Sequence, residues 1–444
     1  MTERSVDHRA KVQTAIVVHP VRPRAAGLRS PEQRLEEAVG LAEALDLKIA
    51  EAIVAPLRAT VPATLFGKGK VDELATVVRA HEADVVVVDD ALTPVQQRNL
   101  EKAWQAKVVD RTGLILEIFA RRARTREGRL QVELARLAYE RSRLVRTWTH
   151  LERQRGGFGV MGGPGETQIE TDRRLLAEKI GRLKRELEEV RRTRHLQRSA
   201  RTRAPYPVIA LVGYTNAGKS TLFNRLTGAE VEAKDLLFAT LDPTHRAVRL
   251  AGGRPAMLSD TVGFISDLPH ELVEAFRATL EEVQEAEVIL HVRDIAGEES
   301  EAQAADVEAV LKQLGAGADS GRATVEVWNK IDLLPEDDRQ ALLNRPQRRD
   351  GSGVPVVAVS AITGQGCEKL TGFLAELLDQ GAPIEARLGP QDGDALAWLY
   401  RHGRVLSRSD DDAGQVSVAV RLDAQALGQF ESRFPGTLLR EAAE

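Results

Sequence analysis

The stretch Gly213-Tyr-Thr-Asn-Ala-Gly-Lys-Ser220 is the strongest indicator of the fold in this 444-residue chain. They follow an apolar run, Val208-Ile-Ala-Leu-Val212, that is typical of a buried strand, and a helical pattern begins near Thr221. In the pattern G-x-x-x-x-G-K-S between a strand and a helix, backbone amides surround phosphate groups. Lys219 then supplies a positive charge, and the Ser220 hydroxyl can bind Mg²⁺. The stretch predicts a phosphate-binding loop in a parallel α/β domain.

A second motif indicates that the ligand is a nucleoside triphosphate. Met257-Leu-Ser-Asp-Thr-Val-Gly263 contains the pattern D-x-x-G after a short apolar run. Asp260 stands where an acid can hold the Mg²⁺ shell, and the amide of Gly263 can meet the γ-phosphate. The pattern is weak by itself, and its position downstream of the phosphate-binding loop makes it credible.

Two further motifs select the base. Thr324-Val-Glu-Val-Trp328 is typical of a strand and leads into Asn329-Lys-Ile-Asp332. The Asp332 carboxylate can accept two hydrogen bonds from guanine, whereas adenine lacks the 2-amino group, so a buried acceptor here rejects adenine. Lys330 would pack its stem along the base, and the backbone of Ser360-Ala361 can meet the guanine oxygen. The four motifs in this order predict GTP rather than ATP.

The first hundred residues alternate apolar runs with amphipathic stretches, which is typical of a parallel sheet with crossover helices. The predicted strands are Thr14–Val18, Lys48–Val54 and Asp84–Val88, and the predicted helices are Ser30–Leu45 and Val71–His81. Gly67-Lys-Gly-Lys70 precedes the second helix. It could bind phosphate through backbone amides at a helix N-terminus, or it could be a strand-to-helix turn with surface lysines, and the residues alone favour the turn.

Two heptad seams predict an antiparallel helical hairpin. The first seam consists of Leu130, Leu134, Leu137, Leu144, Trp148 and Leu151, and the second of Leu176, Ile180, Leu183, Leu187 and Val190. A glycine-rich stretch, Gly156–Gly165, lies between them and is longer than a helical connection needs. It predicts a tip that inserts into a partner, with Phe158 and Met161 as apolar contacts. A disordered loop is the alternative.

The charge of the chain is uneven. The net charge is −4, but between Arg111 and Arg203 there are 24 Lys and Arg against 12 Asp and Glu. A basic, arginine-rich segment in an acidic protein indicates a contact surface for a polyanion, and a solvated helix face with ion pairs is the alternative. The predicted RNA contacts are Arg155, Phe158, Met161, Gly165, Arg173 and Arg174.

The composition excludes several classes of protein. Apolar residues make up 43% and charged residues 29%, and no apolar run is long enough to span a membrane. The single cysteine, Cys367, excludes an intramolecular disulfide and a cysteine-based zinc site, and together with a polar start without a signal peptide it predicts a cytoplasmic location. An aromatic fraction of 4% makes an aromatic RNA-binding platform less favoured.

The last segment, from residue 381 to residue 444, has a short α/β pattern. A helix is predicted over Ala395–Val405 and a strand over Val416–Leu422. No catalytic cluster is recognisable there. The sequence thus predicts an N-terminal parallel α/β domain (1–125), a basic helical hairpin with a glycine-rich tip (126–200), a P-loop GTPase domain (201–380) and a small α/β C-terminal domain (381–444).

Six stretches along the chain carry a family resemblance. They are Phe66-Gly-Lys-Gly-Lys70, Val108-Val-Asp-Arg-Thr-Gly113, Gly162-Gly-Pro-Gly-Glu-Thr-Gln-Ile-Glu-Thr-Asp-Arg-Arg174, Gly213–Ser220, Phe238-Ala-Thr-Leu-Asp-Pro243 and Asp260-Thr-Val-Gly-Phe-Ile265. The set resembles translation-factor-type P-loop GTPases, and nearly the whole chain is similar to the HflX family of ribosome-associated GTPases. The third and sixth stretches are the most specific.

The resemblance implies roles for three further residues. Thr240 matches the threonine that closes on Mg²⁺ and the γ-phosphate, where the sequence alone left Thr244 as an equal candidate. Asn216 matches an asparagine that helps to hold K⁺ in related GTPases, although a loop-shaping hydrogen bond would also explain it. Phe264 stands where Ras-like proteins carry a water-positioning glutamine, and a phenyl ring cannot orient water by hydrogen bonding. Intrinsic hydrolysis is therefore expected to be slow and to need a partner or a cation.

The predicted site combines these motifs. The predicted GTP-binding residues are Gly213, Tyr214, Thr215, Asn216, Ala217, Gly218, Lys219, Ser220, Thr221, Asp260, Thr261, Val262, Gly263, Asn329, Lys330, Asp332, Ser360 and Ala361. The predicted catalytic residues are Lys219, Thr240 and Gly263, the Mg²⁺ ligands are Ser220, Thr240 and Asp260, and Asn216 is the candidate for K⁺.

The resemblance also implies partners and an activity. The family's target is the large ribosomal subunit and the 70S ribosome, and its members are linked to splitting or rescue of stalled or idle ribosomes under stress. Three alternatives stay open: ATP binding and hydrolysis at the N-terminal domain, a signalling GTPase that uses the basic segment on anionic lipid, and an RNA-binding module with a degenerate GTPase. The intact Lys219, Ser220, Asp260 and Asp332 disfavour the last.

Overall fold

The structure is a computed structural model. It describes residues 12–22, 29–154, 164–201, 206–229, 237–241, 243–269, 272, 282–317, 322–344, 354–378, 383–411, 414–422 and 424–439. The chain forms two compact units. Unit 1 comprises Met1–His195, Lys234–Asp242 and Ile265–Ala278, and unit 2 comprises Leu196–Ala233, Pro243–Phe264 and Thr279–Glu444.

Unit 1 begins with a four-stranded parallel sheet and the helices that cross over it. In chain order these are β1 (Thr14–Val21), α1 (Pro31–Glu43), β2 (Lys48–Pro56), α2 (Lys68–Ala80), β3 (Val85–Val88), α3 (Pro94–Trp104), β4 (Lys107–Asp110) and α4 (Arg111–Arg122). The strand order is β2-β1-β3-β4. The predicted strands and helices are confirmed to within a few residues, because valine-rich runs such as Val85–Val88 are fully buried between the helices.

The predicted helical hairpin is confirmed. It consists of α5 (Arg126–Gln154) and α6 (Pro164–Arg201), and the last turns of α6 fall in unit 2. The described part of the two heptad seams forms one cluster of buried side chains, comprising Leu134, Leu137, Ile180, Leu183 and Leu187. The side chains of Leu144, Trp148 and Leu151 lie outside those that the structure describes. An ion pair of 2.9 Å between Lys179 and Glu133 joins the two helices beside this seam.

The start of α6 corrects one detail of the prediction. Gly165 is assigned by sequence to the glycine-rich tip, whereas in the structure it lies in the first turn of α6. The physical reason is Pro164, since proline is favoured at the first position of a helix, where its missing N–H is not needed. Arg155, Phe158 and Met161 lie outside the described residues.

The GTPase domain is the larger part of unit 2. Its elements are β5 (Val208–Gly213), α7 (Lys219–Thr227), β6 (Thr244–Arg249), β7 (Pro255–Asp260), β8 (Val288–Asp294), α8 (Ser300–Gln313), β9 (Ala323–Asn329), α9 (Glu336–Asn344), β10 (Val356–Ala358) and α10 (Cys367–Leu377). The six-stranded sheet has the order β10-β9-β8-β5-β7-β6, parallel except for β6. The predicted phosphate-binding loop leaves β5, a central strand, at its carboxyl end, where parallel sheets bind ligands.

The C-terminal segment of unit 2 is a second, antiparallel sheet with two helices. Its elements are β11 (Pro383–Leu388), α11 (Gly393–His402), β12 (Arg404–Asp410), β13 (Val416–Arg421), α12 (Ala424–Arg433) and β14 (Leu438–Leu439). The strand order β12-β13-β11-β14 is that of a split βαβ (ferredoxin-like) fold. The helix predicted over Ala395–Val405 ends at His402, because Gly403 has an extended backbone and the residues after it pair with β13.

Candidate functional site

The phosphate-binding loop is shaped by two glycines that the surrounding chain crowds. A Cβ at Gly213 would stand 2.2 Å from the carbonyl oxygen of Val292 on β8. Gly218 has a φ of +89°, and a Cβ there would stand 2.3 Å from Nδ2 of Asn329. Both positions therefore require glycine, and the loop presents its backbone as the pattern predicts.

Lys219 and Ser220 begin helix α7 at the end of this loop. The ammonium group of Lys219 donates to the carbonyl oxygen of Tyr214 at 2.6 Å, and Oγ of Ser220 donates to Oδ2 of Asp260 at 2.6 Å. Lys219 is only 6% exposed. Burial lowers the pKa of Lys219 to about 8, although the nearby Asp260 carboxylate opposes the shift. A buried ammonium of this kind is stabilised when an anionic ligand fills the loop.

Ser220 and Asp260 form the part of the site that suits a magnesium ion. A hydroxyl and a carboxylate in direct contact are hard oxygen donors, the type that Mg²⁺ prefers, and Mg²⁺ usually keeps several waters beside one or two protein ligands. No group of three His, Cys, Asp or Glu side chains suited to a metal occurs among the described residues. The hydroxyl of Ser220 and the carboxylate of Asp260 fit a metal that is shared with a phosphate ligand.

Asn329 links the loop to the base-reading end of the site. Its Nδ2 donates to the carbonyl oxygen of Ala217 at 2.9 Å, and its Oδ1 accepts the backbone N–H of Ala361 at 3.0 Å. These two bonds join segments that are far apart in sequence. Sequence reasoning placed Asn329 in the site but did not foresee that the protein itself engages the Ala361 N–H.

Asp332 and Lys330 stand next to this link. Oδ1 of Asp332 is buried and finds no hydrogen-bond partner within the part of the chain that the structure describes. An unpaired buried carboxylate oxygen costs free energy unless a ligand donates to it, and the N1–H and 2-amino group of guanine can do so. The Lys330 ammonium is paired at 2.8 Å with Asp294, at the end of β8, which fixes the lysine stem beside the pocket.

The residues after Asp260 close over the phosphate-binding loop. The Thr215 N–H donates to the Phe264 carbonyl at 2.7 Å, and the Phe264 N–H donates to the Gly213 carbonyl at 3.1 Å. A Cβ on Gly263 would lie 3.0 Å from Nζ of Lys219 and 3.0 Å from Cα of Thr215, so any larger residue would press on the loop. The Phe264 side chain is buried.

Two segments next to the nucleotide motifs belong to unit 1. One is Lys234–Asp242, which contains Thr240, and the other is Ile265–Ala278. In the first segment, the ring of Phe238 meets Phe119 of α4 edge-on, with 4.6 Å between ring centroids. The structure thus brings Ser220 and Asp260 together in unit 2 and assigns the third predicted magnesium ligand, Thr240, to unit 1.

The second segment is held by a buried arginine. Nη2 of Arg111, at the start of α4, donates to the carbonyl oxygen and to Oγ of Ser266, both at 2.9 Å. The same guanidinium pairs with Asp89 at 2.6 Å and with Glu37, which also accepts a 2.6 Å bond from Ser266. Burial alone would lower the pKa of Arg111, but the two carboxylates raise it above its usual value, so the cation persists. His19 completes the network with a 2.8 Å contact to Asp89.

Comparison with known proteins identifies the family. Family models match residues 32–120 (GTP-binding GTPase N-terminal), 122–201 (GTP-binding GTPase Middle Region), 208–330 (50S ribosome-binding GTPase) and 342–442 (HflX C-terminal domain). A "GTPase HflX" of Magnetococcus marinus is 50% identical over 433 residues, which cover 97% of this chain and 96% of that protein. The chain belongs to the HflX family of GTPases.

One further relative agrees with this membership. The "GTPase HflX" of Escherichia coli is 45% identical over 393 residues, covering 87% of this chain and 89% of that protein. Among solved structures, SsGBP in complex with GDP is 25% identical, covers 82% of this chain and 98% of that chain, and superposes with a TM-score of 0.46. The chain is thus a GTP-hydrolysing enzyme with a ribosome-binding type of GTPase domain, and the family predicted from its motifs is confirmed.

The remaining predicted residues of this HflX-family site take several positions. Asn216 is exposed with a φ of +60°, and Thr221 lies half-buried in the first turn of α7. The Thr261 hydroxyl donates to the carbonyl oxygen of Leu211 at 2.6 Å, while Val262 is buried. Ser360 is fully buried, and its Oγ accepts the backbone N–H of Thr363 at 3.1 Å.

Two of the predicted RNA-contacting arginines can be placed. Arg173 and Arg174 are exposed on α6, and Arg174 forms a long ion pair of 3.9 Å with Glu178. Such exposed pairs contribute little to stability. The structure also shows that no helix among the described residues is long and apolar enough to cross a membrane.

Proposed function

We propose that this GTPase binds the large ribosomal subunit and the 70S ribosome, and couples GTP binding and hydrolysis to the splitting or rescue of stalled or idle ribosomes under stress. One observation supports this coupling above all. The segments Lys234–Asp242 and Ile265–Ala278, which adjoin the nucleotide motifs, belong to the same unit as the basic hairpin α5–α6. A change in those segments can therefore act on the unit that carries the arginines.

The nucleotide would lie along the carboxyl ends of β5, β7 and β9. The GTP-binding residues are those of Gly213–Thr221 and Asp260–Gly263, together with Asn329, Lys330, Asp332, Ser360 and Ala361. Ser220 and Asp260 would hold Mg²⁺, joined by Thr240 when GTP is bound. The ion would offset the negative charge of the β- and γ-phosphates. The unpaired Oδ1 of Asp332 supports guanine as the base.

Hydrolysis is proposed to be slow without a partner. Lys219 would meet the β- and γ-phosphates, and the Gly263 amide would meet the γ-phosphate. Phe264 has no group that can position a water molecule, so the attacking water must be oriented by other groups. A monovalent cation such as K⁺ near Asn216, or the ribosome itself, would complete the site.

Arg111 would carry the nucleotide state to unit 1. Its bonds to Ser266 depend on the position of the chain directly after Asp260–Ile265. Loss of the γ-phosphate releases the Gly263 contact and lets this segment move, as in other GTPase switches. The hairpin would then change its grip on ribosomal RNA through Arg155, Phe158, Met161, Gly165, Arg173 and Arg174.

Three further predictions concern the domain boundaries, the location and a second nucleotide. The domain boundaries at residues 125, 200 and 380 and the cytoplasmic location stay predictions. ATP binding at the N-terminal domain is a second candidate activity. Its one structural support is that the stretch Gly67–Lys70 stands at the start of a helix. ATP hydrolysis that persists in a Lys219→Ala variant would favour it.

The proposal is tested by measuring GTP hydrolysis with and without large ribosomal subunits, in K⁺ and in Na⁺. We expect a low rate alone and a rate at least about tenfold higher with subunits, together with splitting of 70S ribosomes seen by light scattering. A variant lacking Gly156–Gln168 is expected to bind GTP normally and to lose splitting. Splitting that persists in this variant would refute the role of the tip, and a rate indifferent to subunits would refute the ribosomal target.

A further inference from the structure

The loop that follows β10 is held by a residue that the motifs do not include. The loop runs from Ser360 to Gly366 and turns on itself. The Gly364 N–H donates to the Ser360 carbonyl at 2.8 Å, and the Ser360 N–H donates to the Gln365 carbonyl at 2.9 Å. Sγ of Cys367 lies 3.9 Å from the Ser360 carbonyl, behind the loop. These bonds fix the curl of the loop but leave the carbonyls of Ala361 and Ile362 to another donor.

Arg225 supplies that donor from helix α7. Its Nε donates to the carbonyl oxygen of Ala361 at 3.0 Å, and its Nη2 donates to the carbonyl oxygen of Ile362. A Cβ at Gly364 would stand 3.8 Å from the guanidinium, so the planar group lies along the loop in ordinary contact. Two adjacent carbonyls held by one rigid fork are fixed in direction as well as in place.

The two ends of α7 therefore serve different parts of the site. Lys219 and Ser220 begin the helix at the phosphate-binding loop, and Arg225 leaves it about 9 Å further along the axis. One short helix thus connects the phosphate end to the loop at the base end. A change in Arg225 can alter the base end while the first turn of the helix stays in place.

Fixing a carbonyl also fixes the amide on the other side of the same peptide plane. The Ala361 carbonyl and the Ile362 N–H share one trans peptide group, so a donor on the oxygen sets the opposite direction for the N–H. The Ala361 N–H is already donated to Oδ1 of Asn329 at 3.0 Å. The orientation of the next amides along the loop then depends on what holds their carbonyls.

We propose that Arg225 is a positioning residue for guanine recognition, and that it aims the backbone N–H of Ile362, which shares a peptide group with the held Ala361 carbonyl, at the O6 oxygen of the base. The inference rests on the proposed guanine site. Arg225 does not touch the nucleotide, and Asp332 reads the other edge of the base, N1–H and the 2-amino group. The two residues consequently act on different base atoms, and nucleotides lacking one or the other atom distinguish them.

The test compares three fluorescent nucleoside diphosphates on the full chain. GDP has both O6 and the 2-amino group, IDP has O6 alone, and the diphosphate of 2-aminopurine riboside has the amino group alone. In the variant Arg225→Gln we expect GDP and IDP to bind about two- to tenfold more weakly, the range for loss of one or two hydrogen bonds, and the third nucleotide to bind as before. KM for GTP is expected to rise by the same factor while kcat stays unchanged.

A matched control and a conservative variant complete the test. Arg322 also donates to two backbone carbonyls, those of Gly315 and Gln284, so Arg322→Gln removes a similar pair of bonds elsewhere in the same unit. It is expected to leave all three affinities unchanged, and Arg225→Lys is expected to lose less than Arg225→Gln. Unchanged GDP binding in Arg225→Gln, or an equal loss for all three nucleotides, overturns the proposal. If the unaltered protein bound GDP, ADP and the 2-aminopurine nucleotide equally, the guanine site itself would be wrong.

Discussion

Two glycine loops with lysines precede helices in this chain, and they differ in what surrounds their glycines. At Gly213 and Gly218, an added Cβ would come within 2.3 Å of neighbouring atoms. At Gly67 and Gly69, no atom of the described residues lies within 4 Å of the corresponding position. Glycine is therefore a steric requirement in the first loop, where the backbone is pressed between β8 and Asn329, and only a neutral choice in the second.

The lysines of the two loops differ in the same sense. Lys219 is buried and donates to a carbonyl oxygen inside its own loop. That acceptor is uncharged, so a phosphate can replace it with a charge-assisted hydrogen bond. Lys70 pairs with Glu73 at 2.9 Å on the surface of α2, and Lys68 is exposed. We infer from its crowding and burial that the first loop is the phosphate site, whereas the second loop has neither feature.

Removing the lysine of the first loop should have the largest effect. Lys219→Ala is expected to weaken GTP binding at least about 100-fold, because several charge-assisted hydrogen bonds to phosphate are lost. Lys70→Ala is the matched control and should bind GTP as the unaltered protein does. Both are measured by fluorescence titration with a labelled GTP analogue. A similar loss in both variants would abolish the distinction between the loops.

Adding a methyl group to the first loop should have the next largest effect. Gly218→Ala forces an alanine into the left-handed region and pushes Asn329 away from Ala217. We expect the free energy of unfolding to fall by about 2–4 kcal/mol, with weaker GTP binding as well. Chemical denaturation measures the first quantity. A stable variant with normal affinity would show that the close approach of Asn329 is not needed.

Burial near the first loop should also make the stability of the protein depend on pH, through His291. His291 on β8 pairs in register with Val212, and burial, followed by Arg293 and Lys219, lowers its pKa to about 3. The unfolded chain, with a histidine pKa of about 6.5, binds more protons below that pH, so stability falls as the pH falls from 6.5 towards 3. Between pH 7 and pH 5 the loss attributable to His291 is about 2 kcal/mol.

The variant His291→Gln is expected to flatten this part of the pH profile, whatever its stability at pH 7. His81, which follows α2 and pairs with Glu51 on the surface, provides the comparison from the second loop's helix. His81→Gln should keep the slope of the unaltered protein. Denaturation curves at pH 7, 6 and 5 give the three slopes, and an unchanged slope in His291→Gln would mean that this histidine is not buried neutral.

The smallest effect is expected from adding a methyl group to the second loop. Gly69 lies in the first turn of α2 with open space around it, so Gly69→Ala should stabilise the protein by up to about 1 kcal/mol through helix propensity. Thermal unfolding and GTP affinity are measured together, and affinity should not change. Destabilisation would mean that the Gly67–Lys70 loop has a constraint, such as a bound ligand, that the geometry does not reveal.

The parts of the molecule that the sequence predicts are those set by local pattern. The strand–loop–helix around Gly213–Ser220 and the heptad seams depend on residues close together in the chain, and the first is confirmed together with the described part of the second. Gly165 was misplaced because glycines dominated the pattern, although Pro164 was a usable signal for the helix start.

The contacts that the sequence could not predict join distant positions. Arg111 and Ser266 are 155 residues apart, and Arg225 and Ala361 are 136 residues apart. Arg111 stands in one of the quoted stretches and Arg225 in none, and no periodicity indicates which carbonyl either arginine will meet after folding. For the same reason the grouping of Thr240 with unit 1 required the three-dimensional contacts, since its motif is read from neighbours in sequence.

In our proposal, the nucleotide bound in unit 2 governs how tightly the hairpin of unit 1 holds ribosomal RNA. Sedimentation of the full chain with large ribosomal subunits, in the presence of a non-hydrolysable GTP analogue or of GDP, measures this directly. We expect at least about tenfold tighter association with the analogue than with GDP. The variant Arg111→Gln is expected to associate equally with both nucleotides. Equal association with both nucleotides in the unaltered protein would contradict this proposal.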